Sequence, residues 1–503
     1  MPFLGIDVGT SGTKTLLLSD NGKVLATAES PHTLLTPKPG WSEQLPENWY
    51  AAAAAATRAA IRKARVKPAS IRAVGLSGQM HGSVFLDARG RVLRPALLWN
   101  DQRTAAQCAQ IESTAGGRAA LLQMVSNPAL TGFTAPKILW LRENEPAKYE
   151  KCRQILLPKD YLRFRLTGDF ATEVSDASGT LLLNVKTRAW HEGLIGLLGI
   201  DKSLLPRVVE SHEVTGMFTP AAAKDFGIPA GIPVVGGAGD QAAGAVGTGV
   251  VLPGLVSASM GTSGVIFAAS PGPQTDPLGR VHTMCHAIPG TWCVFGCMLS
   301  AGGSFQYIRN TLFSEQLRKL KDPGQLYPAM IEEARGAPAG SEGLFYLPYL
   351  TGERCPHPDP HARAAFIGLT PRHTRAHMLR ATLEGITFGM REQIDIFREM
   401  GIPISQVRAS GGGARSEFWR QLQADMYQAP VVTITVAEGA ALGAAILAAV
   451  GAGAYKSVPE ICKSIIQVRH TRRPNKKSAA SYAAAYARYA ELYPALQSWY
   501  SGA

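Results

Sequence analysis

The chain has 503 residues, a formal net charge of +13 and 46% apolar residues. That length exceeds one small core and favours roughly two to four domains. No run approaches the roughly 18 apolar residues of a membrane span, and no basic leader precedes the first strand, so a cytoplasmic protein is expected. The seven cysteines are scattered and odd in number, which fits reduced thiols. Basic residues are dispersed. Their densest run, residues 470–477, has no interleaved aromatics, so a solvated face or mild attraction of an anionic substrate is expected, with no nucleic-acid or membrane partner.

The chain opens on Gly5-Ile6-Asp7-Val8-Gly9-Thr10-Ser11-Gly12-Thr13-Lys14. An apolar run over 3–6 ends in a carboxylate, a Gly/Thr/Ser turn follows, and a second apolar run covers 15–18. This pattern predicts a hairpin whose turn offers small donors to phosphate oxygens; an ordinary glycine-rich turn is the alternative. Asp20-Asn21-Gly22 predicts another turn before a third strand over 23–28. Residues 34–45 read as a loop and 49–66 as an Ala-rich helix. A buried strand over 71–76 leads into Gln79-Met80-His81-Gly82. Residues 84–86 and 92–99 pair as a hairpin in this reading, ending at Trp99-Asn100-Asp101. Alternating strands and helices indicate an α/β domain.

Residues 104–235 read as helical or irregular, with 133–140 preceding a helix. A strand over 232–235 feeds a small-residue segment whose one charge is Asp240, followed by Gln241. Residues 255–267 then repeat the opening layout: apolar strand, Gly261-Thr262-Ser263-Gly264, apolar strand. Ser259 stands in the place of Asp7. The repetition suggests two related lobes with a boundary near residue 250. His282, Cys285, His286, Cys293 and Cys297 invite a zinc site, but without paired CxxC hooks a strand hairpin is the expected reading. Further on come a long helix over 375–400, a strand over 407–410 feeding Gly411-Gly412-Gly413-Ala414, an Ala/Gly helix over 439–450 that must pack closely on a neighbour, and a last helix from about residue 479. That helix's stripe, Tyr482, Tyr486, Tyr489 and Tyr493, is expected to dock on the protein itself.

Three glycine-rich junctions in this order suit nucleotide phosphates, two of them as paired jaws and the third at a helix start. No Walker A loop or clean dinucleotide fingerprint occurs. Asp7 and Asp240 both end strands among glycines. Phosphoryl transfer needs a metal on the phosphates and a base for the attacking hydroxyl. Asp7 suits the first role and Asp240 the second, a helix N-cap being the alternative for Asp240. Gln79, Met80, His81, Trp99, Asn100 and Asp101 offer polar groups and an aromatic wall to a polyol.

These residues, together with Gly352-Glu353-Arg354 and the stretches 133–144 and 365–385, resemble the FGGY family of carbohydrate kinases along essentially the whole chain. The Gln-Met-His-Gly and Trp-Asn-Asp segments are similar to its xylulose-phosphorylating members. The resemblance implies a two-lobed, actin-like (ribonuclease H-like) ATPase fold with a deep cleft. Residues 1–249 would form the sugar-binding lobe and 250–503 the ATP-binding lobe with a helical tail. It implies ATP and Mg²⁺, D-xylulose as the acceptor, and a homodimer as a candidate assembly. By position, Asp240 matches the base and Asp7 the carboxylate on the Mg²⁺ side, with Asp240 also facing the metal. Thr10, Ser11, Thr13 and Lys14 match the first phosphate loop. Gly261 and Thr262, with Gly302, match the second. Gly411, Gly412, Gly413 and Ala414 match the adenosine site. Gln241 stands where many such kinases have Asn, which leaves ribulose, gluconate, an alditol or glycerol as alternative acceptors. A non-catalytic actin-like nucleotide module is the remaining alternative.

Overall fold

The computed structural model describes residues 1–435 and 438–502. Strands Phe3–Val8 (β1), Gly12–Leu18 (β2) and Val24–Pro31 (β3) form an antiparallel meander. Strand Val74–Gly78 (β4) runs parallel to β1 on its other side. Beyond it lie Pro233–Val235 (β6) and Val214–Met217 (β5), so the sheet order is β5-β6-β4-β1-β2-β3.

The second half repeats this plan. Strands Gly254–Met260 (β7), Gly264–Ser270 (β8), His282–Cys285 (β9), Trp292–Met298 (β10), Ile404–Gly411 (β11), Val431–Ile434 (β12) and Val468–Arg472 (β13) form a sheet of order β9-β10-β8-β7-β11-β12-β13. Again an antiparallel pair, β7 and β8, is followed by a strand parallel to the first, β11 beside β7. The repeated Gly-Thr-Ser-Gly therefore marks equivalent turns, β1–β2 and β7–β8. The zinc-like spacing falls on the β9–β10 hairpin. All seven cysteines are unpaired, and among the described residues no group of His, Cys, Asp and Glu is placed to hold a metal on its own.

Helix Pro46–Ala64 (α1) starts three residues before the predicted 49. Pro46 supplies a fixed φ where no N–H is needed, Glu47 lies in the first turn and Arg62 and Lys63 in the last. Helix Thr134–Asn144 (α2) occupies the stretch expected to precede a helix; Pro136 is accommodated within its first turn. The predicted 84–86/92–99 hairpin is reduced to two isolated bridges, Leu86 to Val92 and Ser83 to Leu97. Residues 84–86 pair with 154–156, and 96–97 with 43–44. Helix Asp240–Gly247 (α3) follows β6 through a glycine turn. Helices Arg375–Glu399 (α4) and Glu417–Tyr427 (α5) cover the second sheet's core.

Helix Ala440–Gly451 (α6) is apolar nearly all round and buried from Ala441 to Ala449. It can be so because it is enclosed, packed on β1 and β4 and against α3. The close approach is set by glycine. A Cβ on Gly5 would overlap the Ala441 carbonyl oxygen, and one on Gly443 the Ala243 carbonyl oxygen. Thus α6, although late in the chain, shares a core with Phe3, Leu16 and Leu18.

The tyrosine stripe does dock on the protein. It runs over two helices, Lys476–Ala490 (α7) and Leu492–Ser501 (α8), with Tyr482 and Tyr489 buried on the first. The Tyr482 hydroxyl donates to Glu384 (3.1 Å) and receives an N–H from Arg380. No helix among the described residues is long and apolar enough to cross a membrane.

Candidate active site

A cavity of about 550 Å³ opens between the two sheets' turns. Thr10 of the first Gly-Thr-Ser-Gly turn and Ser263 of the second both line it, with Met80, His81, Trp99, Asp240 and Gln241. Two jaws and a carboxylate thus reach one space from segments more than 200 residues apart in sequence.

Asp240 sits where β6 gives way to α3. Gly239 occupies the N-cap position, so the capping alternative for Asp240 does not apply. Burial first, then the neighbouring charge of Asp7, push the Asp240 carboxyl up to about 7, although the Gln241 backbone and side chain pull it down. Asp7, at the end of β1, is pushed up to about 6, chiefly by burial; the neighbouring Ser77 hydroxyl and the charge of Lys14 oppose the rise. Its Oδ1 is buried without a hydrogen-bond partner. Two desolvated carboxylates, Asp240 raised further by the charge of Asp7 and Asp7 left with an unsatisfied oxygen, fit a divalent cation whose remaining ligands are phosphate and water.

Met80 and His81 leave β4, and His81 is held firmly. Its Nδ1 lies 2.8 Å from the Gly179 carbonyl oxygen. A carbonyl can only accept, so Nδ1 carries the proton and Nε2 is left as an acceptor for a hydroxyl. Burial drives the imidazole down to about 3, so it is neutral. Its backbone lies in the left-handed region, φ 68°, which costs on the order of 1 kcal/mol for a non-glycine residue. The His81 carbonyl accepts from Thr134 Oγ1 (2.9 Å) and Lys137 Nζ (3.0 Å), and Lys137 also donates to the Gly132 carbonyl. Lys137 is fully buried, and burial lowers its ammonium to about 7. Replacing it by Met should therefore free the His81 peptide. The sugar KM is expected to rise by about tenfold or more, the loss of a charge-assisted hydrogen bond, with the ATP KM unchanged; parallel initial-rate measurements on both substrates check the split.

Other expected ligands have different work. Gln79 is buried, and its Oε1 accepts from Thr10 Oγ1 (3.0 Å) while its Nε2 donates to Gln44 (2.9 Å). Gln79 therefore positions Thr10 from behind and does not line the cavity. Trp99 does line it, and its indole N–H donates to Thr10 Oγ1 (3.0 Å). Asp101 is not among the residues lining the cavity. Its carboxylate is fully buried, accepts the Ser42 N–H (2.7 Å) and is forked by Arg103 (2.9 and 2.7 Å), so it is spent on holding the loop. Asn100 does not line the cavity either; its Oδ1 is buried.

In the phosphate turns, Ser11 is exposed, Thr13 is fully buried in β2, and Lys14 pairs with Glu438. Gly302 begins the helix Gly302–Leu312, and its N–H donates to the Gly261 oxygen (2.9 Å); the next N–H, of Gly303, donates to the Thr262 oxygen (3.0 Å). Gly411 and Gly413 pack on Met260, the residue before that turn, and neither bears a Cβ that would overlap it. Gly412 and Ala414 form the 3-10 turn after β11. The second and third glycine junctions are thus neighbours.

Sequence reasoning missed the wall contributed by the second half. His282, Phe295, Cys297, Leu299, Glu353 and Arg354 line the same cavity. His282 stacks edge-on to Phe133 (5.7 Å), which in turn meets His81 (4.8 Å). Gly352-Glu353-Arg354 stood out in the sequence, but nothing local linked it to the first lobe.

Comparison with known proteins identifies the chemistry. Residues 2–247 match the N-terminal domain of the FGGY family of carbohydrate kinases and residues 256–452 its C-terminal domain. The chain belongs to that family. This kinase is 39% identical over 495 residues to xylulose kinase of Escherichia coli (strain K12), covering 98% of this chain and 99% of that protein. It is 38% identical over 490 residues to xylulose kinase of Bacillus subtilis (strain 168), covering 97% and 96%. The solved xylulose kinase of Rhodospirillum rubrum superposes with a TM-score of 0.92 at 29% identity, covering all of both chains. The chain is therefore an ATP-dependent carbohydrate kinase with the two-lobed, actin-like fold.

Proposed function

We propose that this kinase transfers the γ-phosphoryl group of ATP to O5 of D-xylulose. The observation that carries the reading is Asp240. It lines the cavity beside Met80, His81 and Gln241, and its carboxyl is raised to about 7, where it accepts a proton at neutral pH. Its relatives named xylulose kinase support the choice of sugar.

In this reading His81 Nε2 and the Gln241 amide orient the sugar, Trp99 walls it, and Asp240 takes the O5 proton as O5 attacks phosphorus. The O5–P bond forms, the bond from phosphorus to the β–γ bridging oxygen breaks, and ADP leaves with that electron pair. Thr10, Ser11 and Lys14 on one jaw, with Thr13 buried behind them, and Gly261, Thr262 and Gly302 on the other form the phosphate-facing segments, with 411–414 beside the adenosine. Mg²⁺, held on the Asp7 and Asp240 side, would neutralise the phosphates. Residues 1–249 form the sugar lobe and 250–503 the ATP lobe with its helical tail. Closing the lobes excludes water that would otherwise take the phosphoryl group. The unpaired cysteines fit a cytoplasmic protein, and a homodimer is the proposed assembly.

ADP release measured over D-xylulose, ribulose, gluconate, pentitols and glycerol tests the substrate. D-xylulose should give the highest kcat/KM, and a higher value for any other acceptor would replace it. Gln241→Asn shortens the amide arm by one methylene and should keep xylulose turnover within about tenfold of the parent. The same panel read with and without sugar excludes a pure nucleotide sensor if ADP release depends on the sugar.

A further inference from the structure

Arg354 follows Glu353 on the segment after strand Phe345–Leu347 and lines the substrate cavity. Among the described residues its guanidinium has no side-chain hydrogen bond or ion pair; only its backbone N–H is engaged, donating to Glu353 Oε1 (2.7 Å). Glu353 also takes the Leu299 N–H on that oxygen (2.9 Å), is 4% exposed, and leaves Oε2 buried without a partner. An arginine facing a ligand cavity with no acceptor is a donor fork awaiting one.

Its surroundings do not neutralise it. Burial pushes the Glu353 carboxyl up to about 8, so that residue carries its proton at neutral pH. His81 and His282 are both neutral, held down first by burial, with the Arg354 charge adding to the effect. The second half thus brings Arg354 to the cavity wall that also carries His81, Phe133 and His282, three rings in edge-on contact.

We propose that Arg354 is a specificity-determining residue that donates to the carbonyl end of the sugar, the end distal to the hydroxyl facing Asp240. This rests on the reading of the cavity as the sugar site. The loop Glu353 anchors lets the second lobe touch the substrate directly, so the sugar bridges both halves. A ketone oxygen accepts the fork in the plane of its lone pairs, which the tetrahedral carbinol of an alditol cannot reproduce.

The test compares wild type, Arg354→Leu and Arg354→Lys on D-xylulose and on the pentitols obtained by reducing its carbonyl, with turnover read by ADP release and binding by calorimetry. Arg354→Leu should lose about 10- to 100-fold in ketose affinity or kcat/KM and less than about threefold for pentitols. The ATP KM and the melting temperature should stay at wild-type values, and Arg354→Lys should recover part of the ketose loss. Equal losses on ketose and pentitol, or a shift in the ATP KM, would overturn the assignment. If the wild type binds but does not phosphorylate xylulose, the proposed function fails while the ketose-against-pentitol binding difference still decides the role of Arg354.

Discussion

Asp240→Asn should lower kcat by about three orders of magnitude, the scale of a lost general base, while ATP binding stays near wild type. Asn keeps the shape and the position at the start of α3 but cannot take the O5 proton. Near-normal turnover in this variant would remove Asp240 from the mechanism. The pH dependence gives a second reading. Because burial and Asp7 hold the Asp240 carboxyl at about 7, kcat/KM for the sugar in wild type should fall as pH drops below that value. Asp7→Asn removes the charge that raises Asp240, so the acid limb of whatever activity remains should move to lower pH.

Stability separates this loss from unfolding. The folded-state affinity of Asp240 for its proton exceeds that of the unfolded chain, so its contribution to stability is present below the unfolded pKa and is lost as pH rises through about 7. Asn has nothing to titrate. The melting temperature of Asp240→Asn relative to wild type should therefore improve between pH 4 and pH 8, the opposite of what a damaged fold would give.

Local pattern carried much of this architecture. The Gly-Thr-Ser-Gly turns were legible because a hairpin is set by its own residues, and both halves spell it the same way. The place of Asp240 at the junction of a strand and a helix was legible because it is the one charge in a run of small residues after an apolar strand. What failed was non-local. Residues 84–86 look like the partner of 92–99, the nearest apolar run, yet they pair with 154–156, a choice made by the core and not by the turn. Asp101 looked like a sugar ligand because the loop around it is polar. Arg103, two residues on, and the Ser42 backbone, 59 residues back, consume it. The distal wall at His282 and Arg354 was illegible because only the packing of the second half against the first brings it to Met80 and His81.

Gly443→Ala should destabilise the protein by about 2–3 kcal/mol, the usual cost of inserting a group into a closed core, and should lower kcat as well. In an isolated helix the same change would gain about 1 kcal/mol, since alanine is the better helix former. The sign reverses here because the new Cβ would overlap the Ala243 carbonyl oxygen, a backbone atom of α3 that cannot rotate away. α6 is held on its other side by β1 and β4, where Gly5 and Gly75 leave no room for it to retreat. The strain must then move α3, and α3 begins with Asp240. A displacement of about 1 Å at a catalytic group can cost about 100-fold in rate, so a substitution that touches neither sugar nor nucleotide is expected to report on both. Gly244→Ala, on the same helix as Asp240 but with open space beside it, is the control, and urea unfolding should show it neutral or stabilised. Parallel loss in both variants would mean that glycine matters in α3 and α6 through backbone freedom, not through the closeness of the two helices. A loss confined to Gly443→Ala ties the repeated two-lobe design to the base: the helix that closes the first sheet's core also fixes where Asp240 meets the sugar.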